Sequence, residues 1–282
     1  MIAPRPKGAC PVSPAEITPP LPQPNLKVPR FQGTRAVIAL ILREMASTYG
    51  RSPGGYIWAV LQPVGMLALL ALGFSLIVRA PSLGTSFILF YATGFLPYDM
   101  YGTIAGKIDN SLNYAKSLLE YPRMSWIDAV LSRFILHTLT MMAVFCIVIG
   151  GILLATDVHV TISIVPVLQG LSMAVLLGLG VGLVNAVLFG LFPVWKTIWA
   201  ILTRPLFLAS GIFFVLEDMP RGVQDVLWWN PLIHVAGLVR EGFYVTYRPA
   251  YVSLLYGYGL ALVLILVGLI FMRSNYTRVL ES

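Results

Sequence analysis

Charge is scarce in this chain. Only 11% of the residues are Asp, Glu, Lys or Arg, against 57% hydrophobic, too little for the hydrated shell of a soluble domain. Cysteine is rarer still: Cys10 and Cys146 alone make neither a disulfide framework nor a zinc site. The three histidines, His137, His159 and His234, lie far from one another and from either cysteine, so a metal cluster has no support. A phosphate-cradling loop is missing. Gly102-Thr103-Ile104-Ala105-Gly106-Lys107-Ile108 has three residues between its glycines where a Walker A loop needs four, and no Ser or Thr follows the lysine. Gly178-x-Gly180-x-Gly182 has the wrong spacing for a dinucleotide turn, and no carboxylate pair suggests glycosidase chemistry. The chain is therefore expected to be no enzyme, with neither cofactor nor metal of its own. Energy for work on a substrate must come from another subunit or from an ion gradient. Residues 1–30 hold nine prolines and no apolar core. That composition predicts a disordered tail over 1–33 rather than a cleavable signal.

Long apolar runs are what the chain has instead, at about 57–78, 86–106, 130–155, 163–192, 197–216 and 250–272. Each has at least about 20 residues, enough for a helix to cross about 30 Å of hydrocarbon. If alternate connections face the cytoplasm, that side holds 15 of the 19 Lys and Arg, leaving Arg79, Arg221, Arg240 and Arg248 outside. The bias follows the positive-inside rule, with both termini cytoplasmic. It also accounts for the net charge of +7 without nucleic acid as a partner. The expected fold is an all-α membrane protein: a tail over 1–33, then one transmembrane domain over 34–282.

Between the runs lie four unusual pieces. Residues 34–49 read as a helix too short and too charged to span. Val37, Ile38, Ile41, Leu42, Met45 and Tyr49 share a broad apolar face, and Arg35, Arg43 and Glu44 interrupt it. It is expected to lie at the cytoplasmic interface. Asp99 stands inside the second run beside Pro97, an ionisable group at depth that faces either a cavity or a neighbouring helix. Residues 110–120 form a short amphipathic helix with Leu112, Ala115, Leu118 and Leu119 on one face. Projected from a bundle, such a helix implies a docking partner or a resting place on lipid. Residues 217–249 are too long for a turn and too interrupted by Glu217, Asp218, Arg221, Asp225, Arg240 and Glu241 to cross. Their Trp228, Trp229, Phe243, Tyr244 and Tyr247 suggest two short helices dipping into the outer leaflet. Cys146, inside the third run, reads as a small packing residue.

Three motifs carry a resemblance. Tyr121-Pro122-Arg123 with Ile127-Asp128 and Arg133, Arg204-Pro205-Leu206-Phe207 with Ser210-Gly211, and 228–234 (WWNPLIH) with 238–242 (LVREG) resemble the ABC-2 type transporter permeases, closest to those exporting capsular polysaccharide. The likeness covers about residues 34–275. It implies six transmembrane helices, an N-terminal interface helix and a periplasmic re-entrant hairpin before the last span. It also implies a bacterial inner-membrane homodimer bound to two copies of a cytoplasmic ABC ATPase, which carries ATP and magnesium. A periplasmic adaptor and an outer-membrane channel for the polysaccharide complete the implied assembly. Asn113, Lys116, Leu118, Glu120, Tyr121, Pro122 and Arg123 would then couple to the ATPase. Tyr91, Tyr98, Asp99, Tyr101, Arg204, Phe207, Phe213, Phe214, Trp228 and Trp229 are the candidates for the polymer's path, where ring faces slide past sugars. Aromatics at span ends also serve as plain interface anchors. Arg204, about 10 Å into the fifth run, either attracts an anionic polymer group or snorkels as an anchor. O-antigen and teichoic acid exporters share the architecture. An ion-coupled secondary transporter built on Asp99 and a membrane-embedded glycan-processing enzyme are the readings of other classes.

Overall fold

A computed structural model of the protein describes residues 32–49, 55–76, 80–119, 125–156 and 161–281. Regular structure among the described residues is all helical. In chain order the helices are α1 (Gln32–Tyr49), α2 (Gly55–Ser75), α3 (Phe87–Asp109), α4 (Ser111–Leu119), α5 (Trp126–Ala155), α6 (Ile164–Leu191), α7 (Pro193–Leu208), α8 (Arg221–Leu227), α9 (Pro231–Phe243) and α10 (Leu254–Glu281). Residues 1–31 of the expected tail, as well as Glu120, Tyr121, Pro122 and Arg123, lie outside the described residues, and the last two tail positions, Gln32 and Gly33, instead open α1.

The centre of the bundle is α6, which packs against α3, α9 and α10. Its glycines make this possible. A Cβ on Gly178 would sit 2.9 Å from the Tyr101 carbonyl oxygen, and one on Gly182 2.6 Å from the Ile108 Cβ. A Cβ on Gly180, a face away, would meet the Leu264 Cβ of α10 at 2.8 Å. The small-xxx-small pair thus lets α3 approach α6 within one subunit. Around this contact, Phe90, Met100, Ile104, Ile108, Leu171 and Met173 are buried almost completely.

Four described helices are long and apolar enough to cross a membrane: Ile57–Ser75, Trp126–Ala155, Ile164–Leu191 and Leu254–Val279. The second and fifth expected runs differ for local reasons. α3 spans 23 residues with Pro97 inside it, but Asp99, Lys107 and Asp109 lower its apolar character. α7 starts four residues before the expected 197 and ends at Leu208, giving 16 residues and a length of about 24 Å. Pro193 sits at its first turn, where a missing N–H costs nothing. At the other end Gly211 takes a left-handed φ of 72° and turns the chain away. Residues 209–215 are then irregular up to a single 3-10 turn at Leu216–Asp218.

Two side-chain placements depart from expectation. On α1, Val37, Leu40 and Glu44 are buried while Ile38 and Leu42 are exposed, so the packed face is rotated toward Glu44. Cys146 is exposed on the outside of α5 rather than packed.

Candidate functional site

Two polar assemblies and one open cleft stand out from the apolar bundle. The first ties α1 to α4 and α5. Glu44 is 2% exposed, and its carboxylate takes a two-pronged contact from Arg133: Nε to Oε2 at 3.2 Å and Nη2 to Oε1 at 3.1 Å. A fork of this kind fixes orientation as well as charge. His137 Nε2 lies 3.2 Å from the same Oε1, one turn further along α5. The remaining Arg133 nitrogen, Nη1, donates to the Lys107 carbonyl at 2.9 Å, at the end of α3. The guanidinium also lies 4.1 Å above the Tyr114 ring of α4, and the Tyr114 hydroxyl is 2.6 Å from Ser47 Oγ of α1. Burial alone would raise the Glu44 carboxyl. The hydrogen bond with His137 and the charge of Arg133 outweigh it and hold the group below its usual range. At the start of α5 the Ser125 hydroxyl accepts from the Ile127 N–H at 3.3 Å and the Asp128 carboxylate accepts from the Ser125 N–H at 3.1 Å, within a capping box that sets where Arg133 falls.

Of the residues expected to couple to an ATPase, Asn113 and Lys116 are exposed on α4 and Leu118 lies in that helix. Leu112 is buried against the bundle, so α4 is anchored by one edge and by Tyr114.

The second assembly holds the irregular stretch after α7. Asn230 accepts from the Leu232 N–H at 3.1 Å, capping α9, and donates Nδ2 to the Ala209 carbonyl at 2.9 Å. Arg240 is 1% exposed and faces the ring of Phe90 at 4.2 Å. It donates Nη1 to the Phe214 carbonyl at 2.8 Å and Nη2 to the Ile212 carbonyl at 3.1 Å. His234 Nε2 is 2.9 Å from the Trp228 carbonyl, and Nδ1 accepts from the Ser253 N–H at 3.2 Å. One nitrogen must donate and the other accept, so the imidazole is neutral. Asn230 and Arg240 thus hydrogen-bond the backbone of the segment that α7 leaves unwound, while His234 ties Trp228 to Ser253, just before α10.

The aromatic candidates separate into groups. Tyr91, Phe213, Phe207, Tyr98 and Tyr101 form a chain of ring contacts with centroid separations of 6.3, 5.4, 5.2 and 6.2 Å. Its ends, Tyr91 and Tyr101, are buried inside the subunit, and the three middle rings are half-buried. Phe214 contributes its carbonyl to Arg240. Trp228 stacks on Tyr256 at 4.9 Å and donates to the Tyr251 carbonyl at 3.0 Å, so it ties the turn between α8 and α9 to the start of α10. Trp229 beside it points outward, 68% exposed. Arg204 is exposed on α7, a helix that buries none of its residues in the subunit. Asp99 is half-buried and lines a cleft of about 660 Å³ with Trp58 and Gln62 of α2.

The chain matches a known family over most of its length. The sequence profile of the ABC-2 type transporters matches residues 35–244, from α1 through α9. This chain belongs to the ABC-2 type transporter family. The Escherichia coli polysialic acid transport protein KpsM is 30% identical over 246 residues, covering 87% of this chain and 95% of that protein. The capsule polysaccharide export inner-membrane protein BexB of Haemophilus influenzae is 26% identical over 249 residues, 88% of this chain and 93% of its own. CtrC of Neisseria meningitidis serogroup B, with the same description, is 27% identical over 254 residues, again 88% and 93%. As an ABC-2 membrane subunit the chain is a transport component, and among the described residues no group of three His, Cys, Asp or Glu can hold a metal. Glu44, His137 and Arg240 were not singled out as functional by sequence reasoning. Glu44 and its α5 partners lie 89 and 93 positions apart, beyond any local periodicity.

Proposed function

We propose that this chain is the permease subunit of an ATP-driven exporter that moves capsular polysaccharide across the bacterial inner membrane. The observation that carries the reading is the likeness to three capsule-export relatives over nearly nine-tenths of the chain, with the family profile running from α1 to α9. Two copies of the chain pair, and two copies of a separate ATPase bind the end where α1 and α4 meet. An adaptor and an outer-membrane channel continue the route. That end faces the cytoplasm, as the excess of Lys and Arg on alternate connections indicates.

Six crossings are part of the proposal. α3 is long enough, and its charged residues face the cleft or the cytoplasmic boundary. α7 alone is about 6 Å short of a 30 Å core. Residues 209–215 make up the difference, because irregular backbone is tolerated at membrane depth when protein satisfies its polar groups. Asn230 and Arg240 supply that satisfaction, which supports α8 and α9 as a re-entrant hairpin on the periplasmic side. The bare flanks of α2 and α7 face the second copy and enclose the channel. Phe207, Phe213, Tyr98 and the exposed Trp229 supply its ring faces.

The Glu44–Arg133 cluster makes α1, α4 and the facing ends of α3 and α5 one body. Movement of the ATPases against α4 is thereby passed to the spans as rigid-body displacement. The chain purified from its host is expected to bring down a separate ATPase, with nucleotide hydrolysis lost when that subunit is removed. Leu118→Pro is expected to abolish the association while the chain stays inserted. ATP hydrolysis by the chain alone would contradict the reading.

A further inference from the structure

The cleft between α2 and α3 continues along α5 as a second, polar hollow of about 360 Å³ that shares Trp58, Gln62, Pro63 and Asp99 with the first. On α3 its lining residues recur every fourth position, Asp99, Thr103 and Lys107, so they form a single stripe about 12 Å long. Trp58 and Gln62 hold the same spacing on the facing side of α2. The stripe runs from mid-helix to the end of α3 that carries the Arg133 contact. Among the described residues the Asp99 carboxylate makes no hydrogen bond or ion pair, nor does the Gln62 amide or the Trp58 indole.

A lipid chain or an apolar helix face laid into this cleft would leave a carboxylate, an amide and an ammonium group desolvated without partners. Water-like partners on an apolar frame suit it better. A sugar ring has both. Its hydroxyls donate to the carboxylate and exchange bonds with the amide, and its C–H face lies against the indole. The carboxylate also sets a preference, because a negatively charged unit beside Asp99 is repelled while Lys107 at the other end accepts one.

Resting on the proposed export function, we propose that the Trp58–Gln62–Asp99 cleft is the cytoplasmic entry site for the glycan. It holds an uncharged, hydroxyl-rich sugar residue at Asp99, with any acidic group directed toward Lys107. Exposure of Trp58 (61%) leaves the site open from the α2 side, where a chain entering the dimer passes.

The test is photo-crosslinking in exporting cells, with the host's own polysaccharide as probe. p-Benzoylphenylalanine is placed in turn at Gln62, at Leu69 on the outer edge of the cleft, and at Leu262 on the exposed side of α10. The chain is then purified and its glycan detected with a hydrazide after periodate oxidation. A glycan adduct at Gln62 or Leu69 and none at Leu262 is expected. Asp99→Leu is expected to reduce the adduct and surface polymer at least tenfold, with unchanged chain level and ATPase co-purification. Adducts at both cleft positions formed only with lipid or with a second copy of the chain overturn the site, as does glycan capture indifferent to Asp99→Leu. Failure of the export reading itself is separate: surface polymer would then persist in cells that lack the chain.

Discussion

The two ends of the bundle solve the same problem, a buried arginine, in opposite ways. Arg133 is matched by a full carboxylate, with His137 and the Tyr114 ring around it. Arg240 is matched by two backbone carbonyls and the face of Phe90, with its Nε unpaired. At the first site charge meets charge between α1 and α5, 89 positions apart, so the pair works as a joint. At the second the arginine satisfies carbonyls that would otherwise face an apolar interior, so it works as a splint for unwound backbone. A joint fails when its charge balance is upset. A splint fails when its reach is lost, whatever the charge.

The largest effect is expected from Glu44→Gln. Arg133 would be left buried without a counter-charge, which costs about 3–5 kcal/mol. The loss is read as a lower thermal midpoint of the purified complex and faster hydrogen exchange across α1. Arg240→Met comes next. It leaves the Ile212 and Phe214 carbonyls unpaired, about 1–3 kcal/mol each, but it also removes the cost of burying a charge, so the net loss is smaller. Exchange should rise at 209–215 and in α9 while α1 stays protected. If α1 loosened equally, the two assemblies would be one cooperative unit and the contrast would collapse. Tyr114→Phe keeps the ring under Arg133 and removes only the bond to Ser47, so about 0.5–1.5 kcal/mol is expected.

A pH series sharpens the contrast with a small effect. The Glu44 carboxyl is held below its ordinary value of 4.5, so its stabilising contribution is complete above that value and is lost as pH falls through the lowered one. Docking of α1 should therefore be constant at neutral pH and loosen only in stronger acid. Exchange at α1 that changes between about pH 6 and pH 8 would show that a group other than Glu44 governs the joint.

Much of this architecture is written in local pattern. Long apolar runs mark α2, α5, α6 and α10, and the short amphipathic pattern at 110–120 matches α4 within a residue at each end. The two short helices expected within 217–249 are found as α8 and α9. What escapes is whatever depends on a distant partner. Glu44 reads as a break in an apolar face, yet Arg133 and His137 draw it inward and rotate α1 about its axis. α7 reads as longer than it is, because 209–215 are as apolar as a helix while Gly211 and the carbonyl contacts of Arg240 hold them open. Trp228 reads as a ring for sugars or for the membrane interface, and its contacts with Tyr251 and Tyr256 are not legible in the sequence. Trp229, identical in type and adjacent, meets the same Tyr256 ring edge-on and stays 68% exposed.

The central claim, that the chain is the membrane passage for a capsular polymer, is tested most directly by removing it from its host. Cells lacking the chain are expected to lose surface polysaccharide and accumulate the polymer inside, with export restored by the wild-type chain but not by Leu118→Pro. Undiminished surface polysaccharide in its absence, with none retained in the cytoplasm, would contradict the account.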